Sequence, residues 1–419
     1  MLGRELLPWA LLGLALGMVE GATAAVLIKH RFGPIAEPWA VNLAVGFVSG
    51  APALSNVVSF VWSNLAHGRS RIQIIVAMQV AFAVAVGFVG LAPVATTGLL
   101  LTVVSVLAAR MIWAGILTVR SSVWLANFPR PVLASLTGRI LVVSSLAIAA
   151  AATLTALALR TGWFDPRWLY GGAATAGLAA AWLYRGMRVR REYRLLDAEN
   201  AALGQADAFS LAVFRRILRE DPSYREYMLW MGIYGGGGLM LTSQLVVILS
   251  DLLHMPAPRQ ILLLAVVPLL VLPLCVPGWA RLFDGVHVVV YRSRQGWALV
   301  AAMSLMCLAV WLGAEPLLWI GAVALGIAYA GANLGWSLGH NDFASPGRAQ
   351  QYMGVHVTLT GVRGVFAPPV GIAVYQLLQS AQPGLGKWSL CLPLLLATIG
   401  AAGFSRMRRQ HLRGRKNVS

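Results

Sequence analysis

The sequence predicts an all-α integral membrane protein, with about twelve transmembrane helices in two pseudo-symmetric six-helix bundles. Three observations predict this fold class. Hydrophobic residues make up 58% of the 419 residues and charged residues only 11%, and a soluble fold could not cover so much apolar surface with so few charges. Apolar runs of spanning length follow one another along the chain. Two short motifs occur twice at one fixed offset.

Twelve apolar runs are long enough to cross a bilayer, which takes about 20 residues. The first run continues at spanning length, so we expect an uncleaved helix and not a signal peptide. The predicted spans are 7–28, 39–63, 72–92, 97–119, 133–158, 163–185, 227–250, 260–282, 296–313, 316–338, 351–378 and 387–404.

The repeated motifs are separated by 223 residues. Arg69-Ser70-Arg71 recurs as Arg292-Ser293-Arg294 (292 − 69 = 223), and Leu136-Thr137-Gly138 recurs as Leu359-Thr360-Gly361 (359 − 136 = 223). Two matches in one register indicate a duplicated chain. A parallel repeat of about half the chain is a known transporter architecture.

The duplication and the composition divide the chain into four segments. Residues 1–185 form the predicted N-terminal six-helix bundle, and residues 227–404 form the C-terminal one. Residues 186–226 begin and end with arginine-rich stretches around an amphipathic middle, which predicts a cytoplasmic linker at the membrane interface. Residues 405–419 form a basic cytoplasmic tail that we expect to contact lipid.

Positive charge lies at the ends of the apolar runs and does not form one basic face. The net charge of +18 therefore indicates membrane topology and not a nucleic-acid partner. Placing both termini in the cytoplasm, at a bacterial inner membrane, puts most loop arginines inside; the cluster at residues 29–31 is the exception. We expect a monomer whose partners are a small-molecule solute, membrane lipids and, where transport is ion-coupled, protons.

The sequence predicts neither a cofactor nor a metal site. Cys275, Cys307 and Cys391 lie inside apolar runs and form no CxxC pair. The glycines at 235–238 are not a phosphate loop, because no Gly-Lys-Ser/Thr follows them. Without a Walker motif, we do not expect direct use of ATP.

Six spans, a basic linker and six further spans in parallel repeat resemble the Major Facilitator Superfamily. That superfamily carries the loop motif Gly-x-x-x-Asp-Arg/Lys-x-Gly-Arg/Lys-Arg/Lys after its second helix. Here Gly68 and Arg69 match, but Val61 and Leu65 replace the leading glycine and the aspartate, and the second copy keeps only an acid, Asp284. The chain is therefore similar to a motif-divergent member. The resemblance implies a secondary active transporter, a symporter or antiporter that moves a small organic solute by alternating access, and not an enzyme.

Ionisable residues inside spans are costly, so each is a candidate functional residue. Glu20 lies near the middle of the first span and Arg110 near the middle of the fourth, and both helices line the central cavity in the superfamily. The two side chains could face each other in a coupling site, where the carboxylate takes a proton when substrate competes for the arginine. The alternative is a static pair that holds the two helices together.

Arg363 lies near the middle of the eleventh span. Arginine offers bidentate donors to carboxylate or phosphate, so Arg110 and Arg363 together point to an anionic or amphiphilic substrate. His356 precedes Arg363 by seven residues on a similar helix face, and histidine titrates near neutral pH. Further candidates for substrate or coupling contacts are Trp113, Gln244, Asn333 and Trp336.

The predicted cytoplasmic gate uses the repeated arginines. Arginines at cytoplasmic helix ends can pair with an acid or a helix C-terminus when that side is closed; alternatively, they only anchor the helix ends. We expect a histidine and an aspartate at the end of the tenth span to cap that helix. The gate candidates are Arg69, Arg71, Asp284, Arg292, Arg294, His340 and Asp342.

Two other functions are compatible with the sequence. A membrane-embedded enzyme, for instance one that catalyses acyl transfer, could use His340 and Asp342. A non-transporting sensor or assembly factor could share the fold. A cavity that holds Glu20 and Arg110 would favour transport.

Overall fold

The structure is a computed structural model that describes the chain apart from residues 1, 129, 163–164, 191, 194–195, 198–210, 346–347 and 417–419. The middle of the predicted linker and the end of the predicted tail therefore lie outside the described residues. Every regular element in the described part is a helix, as the composition predicts.

Eight helices form the N-terminal half. They are α1 (Leu2–Met18), α2 (Gly21–Phe32), α3 (Pro38–Leu54), α4 (Ser59–Ala66), α5 (Arg71–Leu91), α6 (Thr96–Asn127), α7 (Arg130–Thr161) and α8 (Arg167–Tyr184). The first span consists of α1 and α2, which are separated by a break at residues 19–20. The second span consists of α3 and α4, which a short 3-10 turn connects.

After α8, eight further helices are described: one surface helix and seven that form six spans. They are α9 (Leu211–Glu220), α10 (Pro222–Asp251), α11 (Ala257–Ile261), α12 (Val267–Asp284), α13 (Val288–Leu312), α14 (Glu315–Leu338), α15 (Ala349–Ala381) and α16 (Cys391–Lys416). The eighth span consists of α11 and α12, which are continuous through a π-helical turn. α9 is the amphipathic helix of the predicted linker.

Eleven helical segments of the described chain are long and apolar enough to cross a membrane. The predicted sixth span is not among them, because the glycines, tyrosines and leading arginine of α8 lower its hydropathy. α8 nevertheless packs against α1 and α5 and completes the N-terminal bundle. The chain is a multi-pass integral membrane protein.

The bundle has two faces. The terminal face carries the start of α1, the end of α16 and the connections around residues 67–70, 185–190, 285–287 and 339–345. The far face carries the connections at residues 33–37, 92–95, 252–256, 313–314 and 382–384. Because successive spans alternate in direction, these two faces lie on opposite sides of the membrane.

The two halves meet mainly where α3 packs against α15, where α7 packs against the eighth span, and where α2 packs against α10. Small residues allow the closest approach. A Cβ atom on Gly50 of α3 would lie 2.8 Å from the carbonyl oxygen of Gly364 on α15. The residues that line the space between the halves therefore come from helices of both bundles.

Candidate functional site

The break in the first span positions Glu20. α1 ends at Met18 and α2 begins at Gly21, so Glu20 occupies the N-cap of α2 in an extended conformation. Gly21 lets the start of α2 lie against α3, since a Cβ atom there would fall 2.9 Å from the carbonyl oxygen of Ser49. The carboxylate thus leaves a helix end in the middle of the bundle.

Arg110 of α6 forms an ion pair with Glu20. Its Nη1 donates to Glu20 Oε2 at 2.7 Å, and the side chains are 8% and 27% exposed, respectively. Arg110 Nε is buried and has no hydrogen-bond partner. The arginine therefore keeps a donor that a second acceptor could use, and the carboxylate keeps partial access to solvent.

Lys29 links the two halves on the far face. Its Nζ donates to Asn42 Oδ1 at 2.6 Å and to Asp251 Oδ2 at 2.9 Å, so it joins α2 and α3 to the end of α10. We call Lys29, Asn42 and Asp251 the far-face latch.

A second contact between the halves lies on the same face, where Gln376 Nε2 donates to the carbonyl oxygen of Trp39 at 3.1 Å. The latch joins residues that are distant in sequence, although the sequence contains one signal for it. Lys29 belongs to the one basic cluster that contradicted the predicted topology, and the latch gives that lysine a role at the far end of its helix.

Arg292 lies inside a helix, whereas the sequence predicts it in a loop before a span that begins at residue 296. α13 begins at Val288, and Arg292 is 1% exposed. Its guanidinium donates to Gln295 Oε1 at 2.9 Å and, at 3.4 Å each, to the Tyr227 hydroxyl and the Ala332 carbonyl. These neutral partners come from three helices, and they explain how an arginine is buried where hydropathy predicts a polar loop.

Arg363 and His356 lie seven residues apart on α15. Arg363 donates to Thr360 Oγ1 at 2.7 Å and to the Met231 carbonyl oxygen of α10. Trp336 Nε1 also donates to Thr360 Oγ1, at 3.2 Å. His356 is 1% exposed, its ring lies 5.7 Å from that of Trp336, and neither ring nitrogen has a hydrogen-bond partner.

The other predicted substrate contacts divide into two groups. Asn333 is exposed and lies near the end of α14. Trp113 and Gln244 are buried in helix packing: Trp113 packs against Trp9 with ring centroids 5.7 Å apart, and Gln244 Nε2 donates to the carbonyl oxygens of Gly371 and Ser389.

The predicted gate residues are scattered across the terminal face. Arg69, Asp284 and Arg294 are exposed, and no ion pair between described residues involves Asp284 or Arg292. Arg71 is buried, and its backbone N–H donates to Glu192 Oε1 at 3.0 Å.

The predicted cap at the end of α14 contacts a neighbouring helix instead. Asp342 Oδ2 accepts from the backbone N–H of Val288 at 2.6 Å, which caps the start of α13. His340 is buried, and its Nδ1 has no hydrogen-bond partner.

The chain shares its architecture with solved transporters over nearly its full length. The D-xylose-proton symporter has a TM-score of 0.70 at 11% identity, with 95% of this chain and 96% of that chain covered. A variant of the nucleoside transporter NupG has a TM-score of 0.68 at 12% identity, covering 97% and 100%. The human organic anion transporter MFSD10 has a TM-score of 0.61 at 14% identity, covering 96% and 98%.

No family model matches the chain, and no curated protein matches it. The likeness instead extends through the order and packing of the helices. The structure therefore shows that the chain has the fold of the Major Facilitator Superfamily transporters.

Proposed function

We propose that the protein is a secondary active transporter that moves a small organic solute by alternating access of its two halves, coupled to protons through Glu20. The Glu20–Arg110 ion pair carries this proposal, because it lies in the middle of a membrane-spanning bundle where ionisable groups are costly. A carboxylate that shares its arginine with a solute can exchange its charge for a proton when the arginine is engaged.

The uneven closure of the two faces supports alternating access. Both described side-chain hydrogen bonds between the halves, from Lys29 and from Gln376, lie on the far face. Such contacts can hold one side shut while the other admits solute. The solved neighbours include a structure of the xylose transporter XylE from E. coli in an inward open conformation, with a TM-score of 0.67.

The loop charges favour one orientation. The terminal face carries the arginines of the 67–71 connection, of the segment after α8 and of the last helix, so we assign it to the cytoplasm of a bacterial inner membrane. In that orientation the latch closes the outer side, and a solute would meet Glu20 and Arg110 from the cytoplasmic side.

The geometry gives no support to acyl transfer. Asp342 binds the backbone of Val288, while the buried His340 has a ring nitrogen without a partner, so the two do not form a catalytic pair. The neighbours with solved structures are named as carriers of nucleosides, xylose and organic anions, which agrees with transport.

A proton-flux screen in proteoliposomes tests the proposed function. Candidate solutes are added outside vesicles that contain a pH-sensitive dye, and we expect at least one to move protons with the wild-type protein. Glu20→Gln should abolish this flux, whereas Glu37→Gln, in an exposed connection of the far face, should keep it. Unchanged flux in Glu20→Gln would contradict proton coupling, and no flux with any solute class would contradict the transporter assignment.

A further inference from the structure

Two arginines in the C-terminal half have only neutral hydrogen-bond partners among the described residues. Arg292 is bonded to a tyrosine hydroxyl, a glutamine oxygen and a backbone carbonyl. Arg363 is bonded to Thr360 and to a backbone carbonyl, and its Nε is buried without a partner. Since burying an uncompensated charge is expensive, two such guanidinium groups in one region favour the entry of an anion.

The two arginines and His356 form one cluster. Trp336 connects them: it follows Gly335, where an added Cβ atom would lie 2.7 Å from Arg292 Cζ, its Nε1 shares Thr360 Oγ1 with Arg363, and its ring lies 5.7 Å from that of His356. His356 is 1% exposed and has two unpartnered ring nitrogens. An imidazole always has at least one N–H to donate or a lone pair to offer, so the cluster contains unused hydrogen-bonding groups beside two fixed positive charges.

Glycines make room for the guanidinium groups. A Cβ atom on Gly335 of α14 would lie 2.7 Å from Arg292 Cζ, and a side chain on Gly235 of α10 would overlap the Arg363 guanidinium. Gly235 belongs to the four-glycine run whose purpose the sequence did not reveal. Both guanidinium groups therefore pack against glycine backbone, in space that a larger residue would fill.

The two acidic residues predicted at the cytoplasmic gate do not pair with these arginines. Asp342 caps α13 through the Val288 N–H, and Asp284 is exposed at the end of α12. None of the ion pairs between described residues includes Arg292 or Arg363. In contrast, Trp336 and Thr360 border the cluster with an indole and a hydroxyl, groups that can contact the organic part of a ligand.

We propose that Arg292, Arg363 and His356 form a binding site for the carboxylate or phosphate group of a soluble organic anion. This rests on the proposed function, in which that anion is the transported solute. Arg363, which is only half-buried, makes the first contact through its guanidinium edge, and planar bidentate pairing with two oxygens suits both anion types. Arg292 and the imidazole then hold the anion by charge and hydrogen bonding.

Ligand-induced thermal stabilisation of the purified protein tests the site without requiring transport. The probes are glycerol 3-phosphate and succinate, with glycerol as the neutral control, all at millimolar concentration and constant ionic strength. We expect a saturable rise in unfolding temperature with at least one of the two anions and none with glycerol. A parallel sample receives phosphatidylglycerol in mixed micelles.

Variants in α15 and in α7, its counterpart under the 223-residue repeat, test whether the thermal shift depends on the arginine cluster. Arg363→Gln should weaken the apparent affinity by about tenfold to a hundredfold, the loss expected for a charged hydrogen-bonding group. Arg363→Lys, which keeps the charge and loses the planar fork, should lie between the wild type and Arg363→Gln. Arg139→Gln, an exposed arginine of α7, removes the same charge and should leave the affinity unchanged.

Three results would overturn the site. They are no saturable shift with either anion, an equal affinity in Arg363→Gln, or a shift with phosphatidylglycerol alone, which would assign the cluster to a lipid headgroup. Should Arg363→Gln fail to fold, Arg363→Lys still decides. A protein that binds the anions through Arg363 but moves no solute in vesicles would contradict the proposed function and leave the binding site standing.

Discussion

The two halves share a fold but treat buried positive charge in opposite ways. In the N-terminal half, Arg110 is paired with Glu20, and Arg120 stacks between two tryptophan rings near the buried carboxylate of Glu5. In the C-terminal half, Arg292 and Arg363 have neutral partners only. The two halves therefore share the arrangement of their helices but differ in the positions and partners of their buried charges.

The 223-residue offset identifies the positions in the C-terminal half that correspond to Glu20 and Arg110. Residue 20 corresponds to residue 243 (20 + 223 = 243), a serine, and residue 110 corresponds to residue 333 (110 + 223 = 333), an asparagine. Ser243 is buried and donates to a carbonyl of its own helix, whereas Asn333 is exposed. The C-terminal half thus lacks an equivalent of the ion pair, and its positive charges occupy other positions.

Breaking the N-terminal pair from one side should have the largest effect on stability. Arg110→Ala leaves the Glu20 carboxylate without its partner, and we expect a loss of about 3 kcal/mol, at the lower end for buried pairs because Glu20 is 27% exposed. Denaturant or thermal unfolding measures it. The neutral pair Glu20→Gln with Arg110→Gln should recover much of the loss, since no charge is stranded. An unaffected Arg110→Ala protein would show that the pair adds nothing to folding.

Breaking the latch should open the far face, with a smaller loss of stability. Asp251→Asn removes the carboxylate that Lys29 shares with the opposite half, so the distance between spin labels at residues 37 and 382 should increase and broaden. Glu315→Gln is the matched control, because its ion pair with Arg259 on the same face is exposed and lies within one half. An unchanged distance distribution in Asp251→Asn would contradict the proposal that the latch closes the far face.

Filling the space beside Arg292 should have a modest effect that is specific to the C-terminal half. Gly335→Ala places a methyl group 2.7 Å from Arg292 Cζ, and such overpacking costs about 1–3 kcal/mol. We also expect weaker thermal stabilisation by glycerol 3-phosphate and succinate. Gly232→Ala, whose added Cβ atom meets nothing within 4 Å, should leave both properties intact. Equal behaviour of the two variants would show that the Arg292 guanidinium can move freely.

The sequence predicts the fold because span length, hydropathy and the repeat are patterns along the chain, which can be read without knowledge of long-range contacts. It also predicted that Glu20 and Arg110 could meet, since charges at the middle of two spans stand out against apolar neighbours. It did not reveal the latch, because Lys29 and Asp251 lie 222 residues apart and each ends an ordinary helix. The sequence predicts Arg292 in a loop for a related reason. Its partners Tyr227 and Ala332 come from other helices, so the local hydropathy pattern does not indicate that Arg292 is buried.

Helix packing also distinguishes two predicted substrate contacts of the same residue type. Trp113 and Trp336 both lie deep in spans, but Trp113 packs among the rings of Trp9 and Phe82, whereas Trp336 borders the arginine cluster. Only the relative rotation of neighbouring helices distinguishes them. That rotation depends on contacts such as Gly50 against Gly364, which a single sequence does not specify.

We propose that the two halves have separate roles, with proton coupling at Glu20 and anion binding at Arg363. The most direct test compares net accumulation with exchange in proteoliposomes, using the anion that gives the largest thermal shift. We predict that Glu20→Gln loses proton-driven accumulation but still exchanges internal for external anion, whereas Arg363→Gln loses both. Loss of exchange in Glu20→Gln, or normal exchange in Arg363→Gln, would contradict the division of work between the two halves.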